Sequence, residues 1–134
     1  MPQSNYLLDT NTVSFIIRGQ ETVCSKLKKI PMSQLFISTI TEAELRRGLM
    51  KKPEATRLAE LVHEFLIRVT IQPWCSEAAS AYATLRTECD KKGLSLGAMD
   101  MLIAAHALAL NCTLITNDQA MLKLKGIISV KDWC

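Results

Sequence analysis

The sequence predicts an α/β protein, a three-layer sandwich in which helices cover both faces of a mostly parallel sheet of roughly five strands. Short apolar runs recur along the chain, and longer segments with helical spacing of apolar residues separate them. Hydrophobic residues make up 49% of the chain and charged residues 22%, which excludes disorder and allows a sizeable core. The length of 134 residues suits one domain, which we place at 1–134.

The first half of the chain predicts two strands and their helices. The apolar run 6–8 stops abruptly at Asp9, which indicates a buried strand followed by the start of a helix. Residues 12–18 and 21–30 have helical patterns that break at Gly19. The run 35–37 predicts a second strand, Thr41 opens a helix to about residue 51, and Pro53 marks the start of another. This last helix is strongly amphipathic, with apolar residues at 58, 61, 62, 65 and 66.

The second half predicts three strands. Residues 69–71 form the third strand, and a helix then runs from a cap at Ser76 to about residue 92, where Gly93 ends it. Residues 98–110 are apolar on nearly all sides, so this helix should be internal. A fourth strand at 113–115, a short helix at 119–124 and a fifth strand at 127–130 complete the chain.

Several classes of protein are excluded by simple features. The five cysteines include no C-x-x-C pair, which argues against a disulfide framework or a zinc cluster and favours small buried side chains in a reducing cytosol. Residues 1–5 lack a signal-peptide pattern, and the apolar run 101–110 is too short to span a membrane, so we expect a cytoplasmic protein. Both histidines, His63 and His106, lie in helices and are expected to be structural, which disfavours a nucleophilic triad.

Acidic residues stand where parallel strands end. Asp9 follows the first strand, Glu42 and Glu44 follow the second, and Asp118 follows the fourth. Functional groups of parallel α/β sheets collect at this edge. Asp100 lies in the first turn of the apolar helix, and it shares the segment 93–122 with Asp118 but with no Lys or Arg. An ionised carboxylate in such surroundings must be paired, solvated in a cleft or bound to a cation.

Each acid also has an ordinary local role available. Asp9 and Asp118 could cap the helices that follow them, Asp100 could interact with a helix dipole, and Glu44 could close a capping box with Thr41. These roles do not predict that the acids converge. Crowded carboxylates repel one another unless a cation is present, and Mg²⁺ or Mn²⁺ prefers carboxylate oxygens and water. Such a site suits phosphodiester hydrolysis.

These residues, in this order, resemble the PIN domain and, more closely, the VapC toxins of bacterial toxin–antitoxin pairs. Residues 6–11 are similar to the opening strand and first acid of the family. Residues 38–48 are similar to its S-x-I-T-x-x-E-L-x-x-G segment, which selects Glu44 over Glu42. Residues 97–107 resemble its G-x-x-D-x-x-I-A-A-H-A helix, residues 116–118 its fourth acidic segment, and residues 126–133 its C-terminal ending.

The resemblance implies a Mg²⁺- or Mn²⁺-dependent endoribonuclease that inhibits translation by cutting a structured RNA such as a tRNA. Asp9 and Asp100 would be the principal metal ligands, and Glu44 and Asp118 would complete the catalytic acids. Thr116 would orient the pocket by hydrogen bonding. The family also implies a homodimer and a VapB-type antitoxin that blocks the site.

RNA is a polyanion, so basic residues should surround an acidic pocket. Arg46 and Arg47 are the strongest candidates because they follow Glu44 closely, and the formal net charge of +3 is compatible with this. The other candidates are Lys26, Lys28, Lys29, Lys51, Lys52, Lys91 and Lys92. Two alternatives remain: a catalytically silent PIN domain that binds RNA or protein, and a phospho-acceptor signalling domain. The second is disfavoured because Asp9 stands alone after the first strand.

Overall fold

Five parallel strands form the centre of the computed structural model, which describes residues 4–134. Residues 1–3, the start of the predicted domain, lie outside the described part of the chain. The strands are β1 (Tyr6–Leu8), β2 (Leu35–Ser38), β3 (Thr70–Gln72), β4 (Thr113–Ile115) and β5 (Val130–Lys131). Their order across the sheet is β3-β2-β1-β4-β5, and every neighbouring pair is parallel. The predicted five-stranded parallel sheet is therefore confirmed.

Within residues 4–134, seven α-helices connect these strands. They are α1 (Thr10–Ile17), α2 (Glu21–Leu27), α3 (Thr39–Met50), α4 (Thr56–Arg68), α5 (Ser76–Lys92), α6 (Ala98–Leu110) and α7 (Gln119–Leu122). Short 3₁₀ turns precede β2 at Met32–Gln34 and follow α7 at Lys123–Gly126. Each parallel pair needs a crossover connection, and the strand order runs in opposite directions from β1, so right-handed crossovers place helices on both faces of the sheet.

Several predicted boundaries were wrong, and local hydrogen bonds explain two of them. Helix α3 starts at Thr39, because the Ser38 side chain accepts from the backbone N–H of Ile40 at 3.0 Å and caps it. Thr41 is therefore inside the helix. The predicted fifth strand at 127–130 is observed only at Val130–Lys131, because the backbone N–H groups of Ile127 and Ile128 donate to the carbonyl oxygen of Leu124 at 2.7 and 3.0 Å and extend the preceding turn. Helix α4 begins at Thr56, after a turn that contains Pro53.

Helix α5 begins and ends close to its predicted limits. Cys75, and not Ser76, holds the N-cap position, and its side chain makes no capping bond. At the other end, Gly93 adopts a left-handed conformation with φ of 67°, which a residue with a side chain adopts only with strain. The predicted stop at Gly93 is thus confirmed.

Alternate residues of the central strands face opposite layers. Leu7 and Leu114 belong to a core shared with α5, α6 and α7, while Leu8 and Ile115 belong to a second core shared with α1 to α4. All four side chains are fully buried. This alternation follows from the period of two in a β-strand, and it confirms the three-layer arrangement.

Helix α6 is internal, as its uniform apolarity predicted. Six of its residues are buried, including His106, whose Nδ1 lies 2.8 Å from the hydroxyl oxygen of Ser38. The structural role expected for His106 therefore agrees with its position, whereas His63 is exposed on α4. No helix within residues 4–134 is both long and apolar enough to cross a membrane.

The cysteines follow the expected pattern only in part. Cys89 and Cys112 are buried, and Cys24 is partly buried, as small apolar side chains usually are. Cys75 and Cys134 are exposed, so the expectation of burial was wrong for these two. All five carry free thiols, in keeping with the predicted absence of a disulfide framework.

Candidate active site

The strand order creates a crevice beside β1. The chain continues from β1 to β2 on one side, while β4 pairs with β1 on the other, so the direction of winding reverses there. Ligands of open α/β sheets bind at such a switch point, outside the carboxyl ends of the strands. Asp9 directly follows β1, Ser38 ends β2, and Thr116 directly follows β4.

Asp9 is held in place by the start of α1. Its Oδ1 accepts a hydrogen bond from the Thr12 backbone N–H at 2.8 Å, so the predicted cap is present. The residue is only 2% exposed, and this burial is the main cause that raises the pKa of its carboxyl group. Hydrogen bonding by Thr116 and Thr12 counteracts the rise, and the nearby charge of Asp118 adds to it. Asp9 therefore caps α1, and its ionised form is disfavoured by burial.

Glu44 takes a different partner from the one predicted. The expected capping box with Thr41 is absent because the helix is capped by Ser38. Instead, Thr10 of α1 donates a short hydrogen bond to Oε1 of Glu44, which links the first turn of α1 to the second turn of α3. Glu42 makes an i,i+4 ion pair with Arg46 at 2.8 Å. The two glutamates thus have separate environments. Only Glu44 contacts Thr10, which lies two residues after the carboxyl end of β1.

Asp118 resembles Asp9 in its local bonding. Its Oδ1 accepts from the backbone N–H of Met121 at 3.0 Å and caps α7, as predicted. Its own N–H donates to the hydroxyl oxygen of buried Thr116, also at 3.0 Å. The segment after β4 is therefore fixed by two hydrogen bonds, and one of them uses the threonine that the family resemblance implicated.

The raised pKa of Asp100 indicates that the other three acids lie near it. Burial and then the charges of Asp118, Asp9 and Glu44 raise the pKa of Asp100 from 3.8 to about 6. Gly97 is the N-cap of α6 and there is no side-chain cap bond, while Asp100 lies in the first turn, where it can interact with the helix dipole as predicted. Within residues 4–134, no basic side chain lies within salt-bridge distance of any of the four carboxylates. The structure therefore gathers the four predicted acids without a cationic partner.

This set of groups suits a hard divalent cation. Only carboxylate and hydroxyl oxygens are offered, and these are the donors that Mg²⁺ and Mn²⁺ prefer. No three His, Cys, Asp or Glu side chains in the described part of the chain form a ready-made metal site. Mg²⁺ commonly needs only one or two carboxylates because it retains several of its waters. The donor set is consistent with such an ion.

Two supporting contacts were not predicted from the sequence. One is the bond from Thr10 to Glu44, and the other is the pair formed by Ser38 and His106. Thr10 follows Asp9 directly, so its position beside the acids could have been inferred from the strand end. No local pattern links Ser38 to His106, because 68 residues separate them.

A family comparison identifies the fold and agrees with this geometry. The model of the PIN domain matches residues 6–127. This chain belongs to the PIN domain family. Two curated PIN-domain proteins are similar to it over almost their whole length. Ribonuclease VapC2 of Rickettsia felis is 32% identical over 130 residues, which cover 96% of this chain and 97% of that protein. The tRNA(fMet)-specific endonuclease VapC of Salmonella typhimurium is 30% identical over 129 residues, with coverages of 96% and 98%.

Solved structures place the chain among the VapC members of the PIN family. The structure of VapBC2 from Rickettsia felis bound to a promoter DNA fragment includes a chain that matches with a TM-score of 0.84 and 32% identity. That match covers 96% of this chain and 98% of the other. DNA-bound VapBC from Salmonella typhimurium matches with a TM-score of 0.87 and 29% identity, over 98% and 100% of the two chains. The family predicted from the motifs is therefore confirmed.

Proposed function

We propose that this PIN domain is a Mg²⁺- or Mn²⁺-dependent endoribonuclease. The observation that carries the proposal is that the charges of Asp9, Glu44 and Asp118 all act on Asp100, and that none of the four acids has a basic partner within residues 4–134. Mutual repulsion of this kind destabilises a fold, and bound cations relieve it. Relatives named as ribonucleases and as a tRNA(fMet)-specific endonuclease support RNA as the substrate class.

In this proposal, Asp9 and Asp100 hold the metal ion. When bound there, the ion would supply an activated water molecule and positive charge for the phosphate and the leaving oxygen. Asp9 is kept in position by its bond to the Thr12 N–H, and Asp100 by the first turn of α6. Glu44, fixed by Thr10, and Asp118, fixed through Met121, complete the acidic pocket. Each carboxylate is thus oriented by its own element before any ligand binds.

We further propose that the protein is a toxin that inhibits translation by cutting a structured RNA such as a tRNA. Its activity would be neutralised by a VapB-type antitoxin, and the active form would be a homodimer. The support is the similarity to chains from VapBC complexes. Copurification with the product of an adjacent short reading frame, followed by mass measurement of the complex, tests the partner and the stoichiometry together.

The nuclease proposal is tested by incubating purified protein with total RNA, with added Mg²⁺ or with EDTA. Cleavage is expected only with the metal, and Asp100→Asn should abolish it. Asp90→Asn is the matched control, since Asp90 is an exposed acid on α5 that pairs with Arg86. Cleavage that survives both chelation and the Asp100 substitution would contradict the proposal. RNA binding without cleavage under any of these conditions would favour the catalytically silent alternative.

A further inference from the structure

A groove on the side of the molecule opens beside Glu44. It has a volume of about 310 Å³ and lies between α1, α3 and α4. Thr10 and Glu44 line one end, and Arg18, Lys51 and Lys52 line the other, while the floor between them is largely apolar. The groove therefore joins the acidic pocket to a cluster of three cations.

Helical geometry explains how the two ends are connected. Glu44, Gly48, Lys51 and Lys52 are spaced i, i+4, i+7 and i+8, so they share one face of α3 and of the turn that follows it. From Glu44 to Lys51 the chain advances about 10 Å along the helix axis. The groove is thus elongated along α3, with Glu44 near one end and the lysines near the other.

The three cations are free to meet a ligand. Within residues 4–134, no carboxylate lies within 4.0 Å of the charged groups of Arg18, Lys51 or Lys52. Of the two strongest candidates from the sequence, Arg46 is instead paired with Glu42, and neither Arg46 nor Arg47 lines the groove. The cations that line the groove are therefore not the ones that the sequence favoured.

Gly48 keeps the middle of the groove open. Glycine in the interior of a helix is unfavourable relative to alanine. At Gly48 the backbone does not require it, since its φ is not positive and an added Cβ would meet nothing within 4 Å. The missing side chain instead widens the space between the acids and the lysines.

We propose that this groove holds the RNA strand next to the bond that is cut, with its phosphates at Arg18, Lys51 and Lys52. The inference rests on the proposed nuclease function and makes these three side chains positioning residues for it. A polyanion fits the unpaired cations, and the apolar floor fits the sugar and base edges. When no ion is bound, the four carboxylates repel phosphates, so binding of the strand in EDTA must come from cations elsewhere, such as those of the groove.

The test compares two lysine pairs in the full chain. Lys51→Ala with Lys52→Ala removes two of the three groove cations. Lys91→Ala with Lys92→Ala is the control, because these two lysines, also candidates from the sequence, lie in the last turn of α5 and do not line the groove. That turn lies about 25 Å along the helix from the carboxyl edge of the sheet, where α5 begins. Binding of a fluorescein-labelled single-stranded RNA of about 12 nucleotides is measured in EDTA at several salt concentrations. This measurement does not depend on cleavage.

Each phosphate contact contributes about 0.7 to the slope of log affinity against log salt for single strands. The groove double variant should therefore lower the slope by about 1.4, while the control leaves it close to the wild-type value. In cleavage assays with Mg²⁺, the groove variant should raise KM and leave kcat within about twofold, which identifies a loss of binding and not of chemistry. Gly48→Gln should raise KM as well, by filling the groove without a change of charge.

Two results would overturn the proposal. Equal effects of the two lysine pairs would mean that only bulk charge matters. If the groove double variant bound poly-glutamate more weakly than wild type but bound RNA equally well, the groove would be assigned to an acidic peptide. Absence of cleavage by the wild-type protein would reject the nuclease function but leave the RNA-binding comparison to decide the groove, so the two failures are distinguishable.

Discussion

Replacing Asp100 by Asn should stabilise the protein while it abolishes the proposed activity. Asp100 is partly buried beside three other acids, and these surroundings raise its pKa from 3.8 to about 6. At neutral pH the Asp100 carboxylate is therefore ionised in the folded protein, although its surroundings disfavour the charge. Asparagine has nearly the same shape but does not ionise, so the variant avoids this cost in folding free energy.

The size of the effect follows from the pKa. The rise from 3.8 to about 6 corresponds to about 3 kcal/mol at a pH above both values. Solvent reaches part of the Asp100 side chain and screens its charge, so we expect a gain of about 1–2 kcal/mol. The folded state binds more protons than the unfolded state between these pKa values. Wild-type stability should therefore fall from about pH 4 to pH 6, and the variant should lack this contribution.

The assay is urea unfolding in EDTA at a series of pH values from 4 to 8. The measured quantity is the difference in unfolding free energy between wild type and Asp100→Asn. Groups that do not interact with Asp100 cancel in that difference, including His106, whose pKa is lowered by burial. The difference therefore reports Asp100 together with its interactions with the three neighbouring acids. Asp90→Asn is the control, and because surface ion pairs contribute little, it should change stability by less than about 1 kcal/mol at every pH.

The reasoning is refuted if Asp100→Asn is no more stable than wild type at pH 7.5. It is refuted equally if the difference between them does not grow with pH. A second measurement uses Mg²⁺, which should raise the unfolding free energy of wild type by mass action and have little effect on the variant. Equal stabilisation of both proteins by the ion would show that Asp100 is not a ligand.

Three further substitutions test the packing around the site. Leu114→Ala removes a fully buried side chain from β4 and should cost about 2–5 kcal/mol of unfolding free energy in urea titrations. His106→Ala leaves the hydroxyl of Ser38 without its partner and opens a cavity, so we expect a loss of about 2–4 kcal/mol by thermal unfolding, and an unchanged Tm would contradict this. Gly48→Ala should raise the midpoint of urea unfolding and stabilise the protein by up to about 1 kcal/mol, since alanine favours a helix interior and the added methyl group meets no neighbour. A loss of stability would contradict this prediction.

The periodicity of apolar residues predicted most of the fold. The strands at 6–8 and 113–115 and the helix at 98–110 have the predicted limits, because each is an apolar run bounded by polar residues or a turn. The starts of α3 and α4 were displaced because capping is decided by hydrogen bonds that several nearby residues can make. At α3 both Ser38 and Thr41 could cap, and only the structure shows that Ser38 does so.

The choice between Glu42 and Glu44 shows the limit of reasoning from spacing alone. Both glutamates follow β2 within a few residues, and both could serve a helix start. In the structure, the contact of Glu44 with Thr10 depends on how α1 packs against α3, which no short stretch of sequence specifies. The motif resemblance selected Glu44, and its placement beside Thr10 agrees with that choice. Its catalytic role remains a prediction.

Capping and membership of an acidic site are not competing explanations for a carboxylate. A helix that follows a parallel strand begins at the carboxyl edge of the sheet, so its N-cap lies where ligands bind. Asp9 and Asp118 are caps, and the backbone N–H groups that they accept from fix the positions of their carboxylates. Asp100 is not a cap, and burial together with the charges of the three other acids raises its pKa. No side-chain cap bond fixes its carboxylate, so a bound cation would supply the stabilisation that the helix N–H groups give to Asp9 and Asp118.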